Sequence, residues 1–302
     1  MDSFVIFQQL LVLFGLMALG FACTRRGWMN EDFNRKLSAL VVNLFNPMIK
    51  LSGAVSRDDS MGGGLVRQNL ILCCIYFGAA AVLAFVLVRL MGLSPERRGI
   101  YQNMLMFGNF GFMGIPIITG LFGSSYVIFV NFYMLFMNTL FYTYGLVLMT
   151  GSCSPKKLLN GCTLACLVSI LIFACDLRVP APVESLLRYG GNTCIPLSMM
   201  VIGSNLAGSS VRSMLRCKRF YVFTVLKLLV MPILLVLAVR NLPFDATMLC
   251  IFMVMAAMPS ASVPALTAQE LYGAELGAEA CQLNMITTVC CLFTVPIVSL
   301  FL

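Results

Sequence analysis

Gln68 to Val88 run without a single charged side chain, between Arg67 and Arg89. Apolar blocks of this kind recur along the 302-residue chain and decide what it can fold into. A helix rises about 1.5 Å per residue, so about 20 apolar residues carry it across the hydrocarbon core of a bilayer. The chain is 60% hydrophobic and 11% charged, whereas soluble domains hold about 25% charged residues. A water-soluble domain of this size has no way to hide that much apolar surface. The blocks lack the short alternating strands of a membrane barrel. The sequence therefore predicts an all-α integral membrane protein.

Ten spans follow from the hydropathy, at roughly 4–23, 33–55, 69–91, 100–121, 124–149, 158–176, 184–206, 219–240, 246–270 and 277–301. The loops between them are short. Asp2 precedes the first block and Arg25 and Arg26 follow it, the reverse of a removable signal peptide. With the N-terminus outside, 13 of the 20 Lys and Arg residues fall on the inner loops. Positive charge marks the cytoplasmic side, so both termini are expected outside. The net charge of +8 is thereby explained by topology, with no nucleic acid partner. The expected location is the cytoplasmic membrane of a bacterium, and the expected surroundings are a lipid bilayer.

The chain also reads as two similar halves, 1–150 and 151–302. Pro47 and Pro116 are 69 residues apart, and Pro196 and Pro264 are 68 apart. Basic clusters and span counts match at the same offset. Five spans per half make the second half enter the membrane upside down, an arrangement common among transporters. Span 4 reads Gly108-Asn109-Phe110-Gly111-Phe112-Met113-Gly114-Ile115-Pro116, and span 9 reads Met258-Pro259-Ser260-Ala261-Ser262-Val263-Pro264. Proline removes a backbone donor and clashes with the preceding turn. Both spans are expected to break near mid-depth. Backbone freed in lipid must be buried in protein or line a wet cavity. Each break offers a half-helix N-terminus whose free N–H groups suit an anion.

Asn109-x-x-x-Met113-Gly114-Ile115-Pro116 resembles the fourth-span motif of the auxin efflux carrier family, which includes plant auxin carriers and bacterial malonate-type permeases. Ala257-Met258-Pro259-x-x-x-Val263-Pro264 resembles the ninth-span motif. Lys227 followed by Pro232 is similar to the bacterial members. The resemblance covers essentially the whole chain, without the long cytoplasmic loop of some plant members. It implies ten helices as two inverted five-helix repeats, with helices 4 and 9 crossing at their breaks. It further implies a scaffold of spans 1, 2, 6 and 7, a homodimer, and an elevator-like transport domain of spans 3–5 and 8–10. The implied substrate is a small organic carboxylate, touched by Asn109.

The substrate-binding residues expected from these arguments are Asn109, Gly114, Ile115, Pro116, Pro259, Ser262, Val263 and Pro264. Asn43 and Asn46 join them because they neighbour Pro47. Lys227 lies about 12 Å into span 8, counting eight residues at the helical rise. It either attracts the anion or braces the carbonyls of a broken helix. Lys50 lies near the outer end of span 2 and is expected to reach the surface. No acidic residue falls at mid-depth, which argues against an aspartate-based cation exchanger. A sodium-coupled symporter of the bile-acid type remains the alternative. The chain has 13 cysteines and no histidine. No metal-ligand spacing, cofactor motif or catalytic residue is expected, and the cysteines read as small packing residues.

Overall fold

The computed structural model describes residues 3–56, 62–208 and 217–302. Asp2, Arg57, Asp58, Asp59, Arg212 and Arg216, counted above among the charges, lie outside the described residues. Helix makes up 85% of the structure. Among the described residues the only strand-like feature is one isolated bridge.

Helix α1 spans Ser3–Arg25. Span 2 is α2 (Glu31–Leu40) and α3 (Asn46–Val55), joined by a π-helical turn at Val41–Phe45. The wider turn sits directly ahead of Pro47, where it absorbs the ring's clash with the preceding turn. Helix α4 runs Gly63–Leu90. Then come α5 (Pro95–Met106) and α6 (Ile115–Phe122), the latter entered through a π-helical turn at Phe110–Gly114. Helices α7 (Val127–Leu140) and α8 (Leu146–Thr150) flank another such turn, Phe141–Gly145. Helix α9 is Gly161–Ala174, and α10 is Ala181–Gly208 with Pro196 inside it.

The C-terminal part holds α11 (Lys218–Val225) and α12 (Met231–Val239), with a π-helical turn at Leu226–Val230 ahead of Pro232. Helix α13 is Ala246–Ala256 and α14 is Ser262–Ser299. Gly273 splits α14 at φ 66° and ψ −146°, a conformation that a side chain would oppose. Among the described residues, six helical stretches are long and apolar enough to cross a membrane: Phe4–Arg25, Glu31–Val55, Gly63–Leu90, Ser124–Thr150, Lys218–Val239 and Glu275–Ser299. Phe110–Phe122, Gly161–Ala174 and Ala246–Ala256 are shorter apolar helices. The shortness of the first and third has a plain cause: spans 4 and 9 are each broken in two.

Two groups of helices position the site. Helix α10 packs along α1 and α3, and α9 lies on α3. At the α1–α10 crossing, a Cβ on Gly20 would run into the Met200 backbone and one on Gly203 into the Met17 carbonyl. Small residues let the two backbones touch, and Thr24 adds a 2.7 Å hydrogen bond from Oγ1 to Ser204 Oγ. In the second group, α4 packs on α5, α12 and α13. Tyr76 of α4 stands edge-on to Phe110, Tyr133 and Phe252 at 5.7, 5.9 and 6.2 Å. These buried rings hold the first break from one side, each pair adding about 0.5–1.5 kcal/mol. Glu279, just past the Gly273 break in α14, ties that helix to the N-terminal parts of α5 and α11. It accepts from Arg97 Nε at 3.0 Å, Arg219 at 3.2 Å and the Tyr101 hydroxyl at 2.5 Å.

Candidate functional site

The two breaks meet. Gly108 and Ser260 pair as an antiparallel bridge. Asn109 N–H donates to the Pro259 carbonyl at 2.8 Å, and Ala261 N–H donates to the Phe107 carbonyl at 3.0 Å. The approach is close because Gly108 has no side chain: a Cβ there would lie 2.6 Å from the Phe110 ring and 3.2 Å from Met258 Cβ.

A helix that stops inside the protein strands its last carbonyls, and each must find a donor. For α5 every one does. Ser260 Oγ donates to Met104 O at 2.9 Å. Lys227 Nζ donates to Leu105 O at 2.8 Å and to Phe107 O at 3.5 Å. The Tyr76 hydroxyl donates to Met106 O at 3.2 Å. Lys227 is 1% exposed. Its ammonium is thus committed to the end of α5, the bracing arrangement of the two weighed above.

The second half of each broken span begins with free donors. Asn109 caps the π-helical turn, its Oδ1 accepting from Phe112 N–H at 3.3 Å. That fixes the orientation of the amide and leaves its NH₂ without a protein acceptor among the described residues. Pro116 follows as the second residue of α6, and Pro264 as the third of α14. Pro264 falls in the first turn of α14, where the amide has no helical partner to lose, so it starts that helix rather than kinks it. Pro116 follows directly on the π-helical turn, as Pro47 and Pro232 do, and the wider turn takes up the ring's clash.

A cavity of about 330 Å³ opens beside the crossing. Its polar wall includes Asn43, Asn46, Asn109, Asn138, Asn160 and Tyr142. Gly111, Ser262 and Val263 bring the opening turns of both half-helices to the same wall. Among the described residues, no Asp or Glu lines it. Of the residues named from sequence, Asn43, Asn46, Asn109, Ser262 and Val263 come together here. Gly114, Ile115, Pro116, Pro259, Pro264 and Lys227 do not line the cavity. They lie behind it, where Pro259 supplies the carbonyl that receives Asn109 N–H.

Lys50 departs from expectation. It is 0% exposed, not snorkelling at the surface. Helix α9 covers α3 at this level. Ser169 Oγ and Asn131 Nδ2 hold the Lys50 carbonyl at 2.8 and 3.1 Å. The lysine stem is directed to Cys162, where Nζ donates to Sγ at 2.6 Å and to the carbonyl at 3.4 Å. Cys162 itself lines the cavity.

Asn138, Tyr142, Asn160 and Cys162 were not singled out by the sequence. Asn138 offered one signal, a polar amide inside an apolar span. Asn138 Nδ2 donates to Thr163 Oγ1 at 3.0 Å, joining α7 to α9 beneath the cavity. Asn160 Oδ1 caps α9 by accepting from Thr163 N–H at 2.9 Å.

A second cavity of about 620 Å³ shares Ser262 and Leu266 with the first. Its wall includes Asn30, Asn34, Asn205, Gln269, Asn284 and the carboxylate-bearing Glu31.

Comparison with known proteins identifies the family of the chain. Residues 5–160 and 147–299 each match the membrane transport protein family. An uncharacterized transporter of Methanothermobacter thermautotrophicus is 26% identical over 273 residues, covering 87% of this chain and 88% of the relative. An uncharacterized transporter of Methanocaldococcus jannaschii is 24% identical over 217 residues, covering 67% and 69%. With both halves matched and nearly all of its length covered, the chain belongs to the membrane transport protein family, the auxin-efflux-like family whose motifs spans 4 and 9 resemble.

Proposed function

We propose that this protein is a secondary carrier of a small organic anion, a mono- or dicarboxylate. The observation that carries the reading is the cavity at the crossing. It is walled by amides and by half-helix N-termini, and among the described residues no acidic side chain opposes a negative ligand there. The Asn109 NH₂ is a free donor at its edge, and the Gly111, Ser262 and Val263 backbones begin helices whose positive ends face the same space.

The carrier works as ten spans in two inverted repeats, 1–150 and 151–302, crossing near the middle of the membrane. Spans 1, 2, 6 and 7 form the scaffold of a homodimer in the cytoplasmic membrane, and both termini lie outside. The tight α1–α10–α3–α9 packing supports that scaffold. The remaining spans carry the crossing as one body that slides against it. Two cavities sharing Ser262 support a site approached from more than one direction.

The test is uptake of labelled mono- and dicarboxylates into liposomes holding the purified protein, with and without sodium and proton gradients. Saturable carboxylate uptake is expected. Uptake that appears only with a sodium gradient moves the protein to the bile-acid-type symporters. No uptake of any anion by a stable, inserted protein removes the anion reading.

A further inference from the structure

Lys50 is a cation in the protein interior with no carboxylate to answer it among the described residues. Among the described residues, the ion pairs are formed by Arg35, Lys36, Arg97 and Arg219, and none involves Lys50. A buried charge is costly unless it is paired. Lys227, the other buried lysine, discharges that requirement on two helix-end carbonyls. Lys50 has only the Cys162 thiol and carbonyl and the neighbouring Cys166 thiol, and no carboxylate. The thiol that receives the ammonium belongs to a residue of the cavity wall, and Lys50 itself does not line the cavity. A second, independent sign of a missing ligand lies in the same wall. Asn46 is 5% exposed and lines the cavity, and its side-chain amide has no hydrogen-bond partner among the described residues, which leaves its NH₂ able to donate to an anion.

We propose that Lys50 is the fixed positive charge that recognises the carboxylate of the ligand, and that Cys162 is the side chain that occupies its place in the empty site. This rests on the anion-carrier reading above. Rotation of the Cys162 side chain about its Cα–Cβ bond uncovers the ammonium, which then donates to a carboxylate oxygen instead of to sulfur. The charge-bearing role therefore belongs to span 2, and Lys227 keeps the crossing intact. Cys162 is also a chemical reporter, since a thiol beside an ammonium in a cavity wall meets whatever the cavity admits.

The experiment uses the full wild-type chain in liposomes and two methanethiosulfonates of similar size, the anionic sulfonatoethyl and the cationic trimethylammonioethyl reagents. In each, the thiolate attacks the sulfenyl sulfur, a disulfide forms and methanesulfinate leaves. Peptide mass spectrometry reads modification at Cys162, with exposed Cys153 as the internal reference. The anionic reagent is expected to modify Cys162 at least about tenfold faster than the cationic one, relative to Cys153, through local charge steering. Lys50→Arg keeps that ratio and Lys50→Met erases it. Malonate slows labelling at Cys162 and not at Cys153. Equal rates for the two reagents, a ratio unchanged in Lys50→Met, or labelling confined to Cys153 overturns the proposal. If Lys50→Met does not accumulate, the wild-type ratio and malonate protection still decide it. Saturable carboxylate uptake with no charge preference at Cys162 removes Lys50 and leaves the carrier standing. Charge preference without any anion uptake does the opposite.

Discussion

Lys227 donates to the carbonyls of a helix that has already ended, and that makes it a test of structure. Replacing it with methionine keeps the volume and removes the donor. Each buried carbonyl left unsatisfied costs about 1–3 kcal/mol. Lys227→Met is expected to lower the melting temperature in detergent. An unchanged melting temperature together with lost anion binding would return Lys227 to the ligand. Asn109 makes the opposite case. Its oxygen is spent on the cap and its NH₂ is free. Asn109→Ala is expected to weaken carboxylate binding about 10- to 100-fold, the loss of one hydrogen bond to a charged group, with insertion unchanged. Normal affinity by calorimetry would remove it from the site. Sequence reading reached Asn43, Asn46 and Asn109 because an amide next to proline or glycine inside an apolar run is conspicuous. It missed Asn160 and Cys162 because nothing local marks them. They reach the cavity only because α9 packs on α3.

At the scale of elements, the breaks were legible and their mechanism was not. Glycines and prolines in spans 4 and 9 announced irregular backbone. The helices actually stop before the prolines, at Met106 and Ala256; Pro264 opens the next helix, and Pro116 sits just past the π-helical turn that opens its own. The π-helical turns ahead of Pro47 and Pro232 carry no sequence signature beyond the proline itself. The expected snorkelling of Lys50 failed for a similar reason: distance from a helix end is visible in a sequence, and the neighbour that covers it is not. The α1–α10 contact supplies a prediction at this level. A methyl group at Gly203 would press on the Met17 backbone, which cannot yield as a side chain tip can. Gly203→Ala is expected to cost about 1–3 kcal/mol through overpacking. Gly15→Ala, with nothing within 4 Å, is the control and is expected to melt like the wild type.

Across the whole molecule, the proposed sliding of one body against another has a direct check. Ala18 of α1 and Val289 of α14 line one groove between the two bodies. Joining cysteines placed at both positions with a bifunctional methanethiosulfonate is expected to stop uptake, and reduction is expected to restore it. Uptake that continues while the link is intact would mean that the two bodies do not move past each other. The crossing itself has a consequence for how the protein is made. The last carbonyls of α5 receive donors from Tyr76, Lys227, Ser260 and Ala261. Three of these four residues leave the ribosome more than a hundred positions after α5 itself. Until they arrive, an inserted first half would hold orphan backbone groups in lipid, each costing several kcal/mol. Span 4 is therefore expected to settle late, waiting at the membrane surface or within the insertion machinery until span 9 is synthesised. The two ends of the crossing are therefore expected to mature as a single unit.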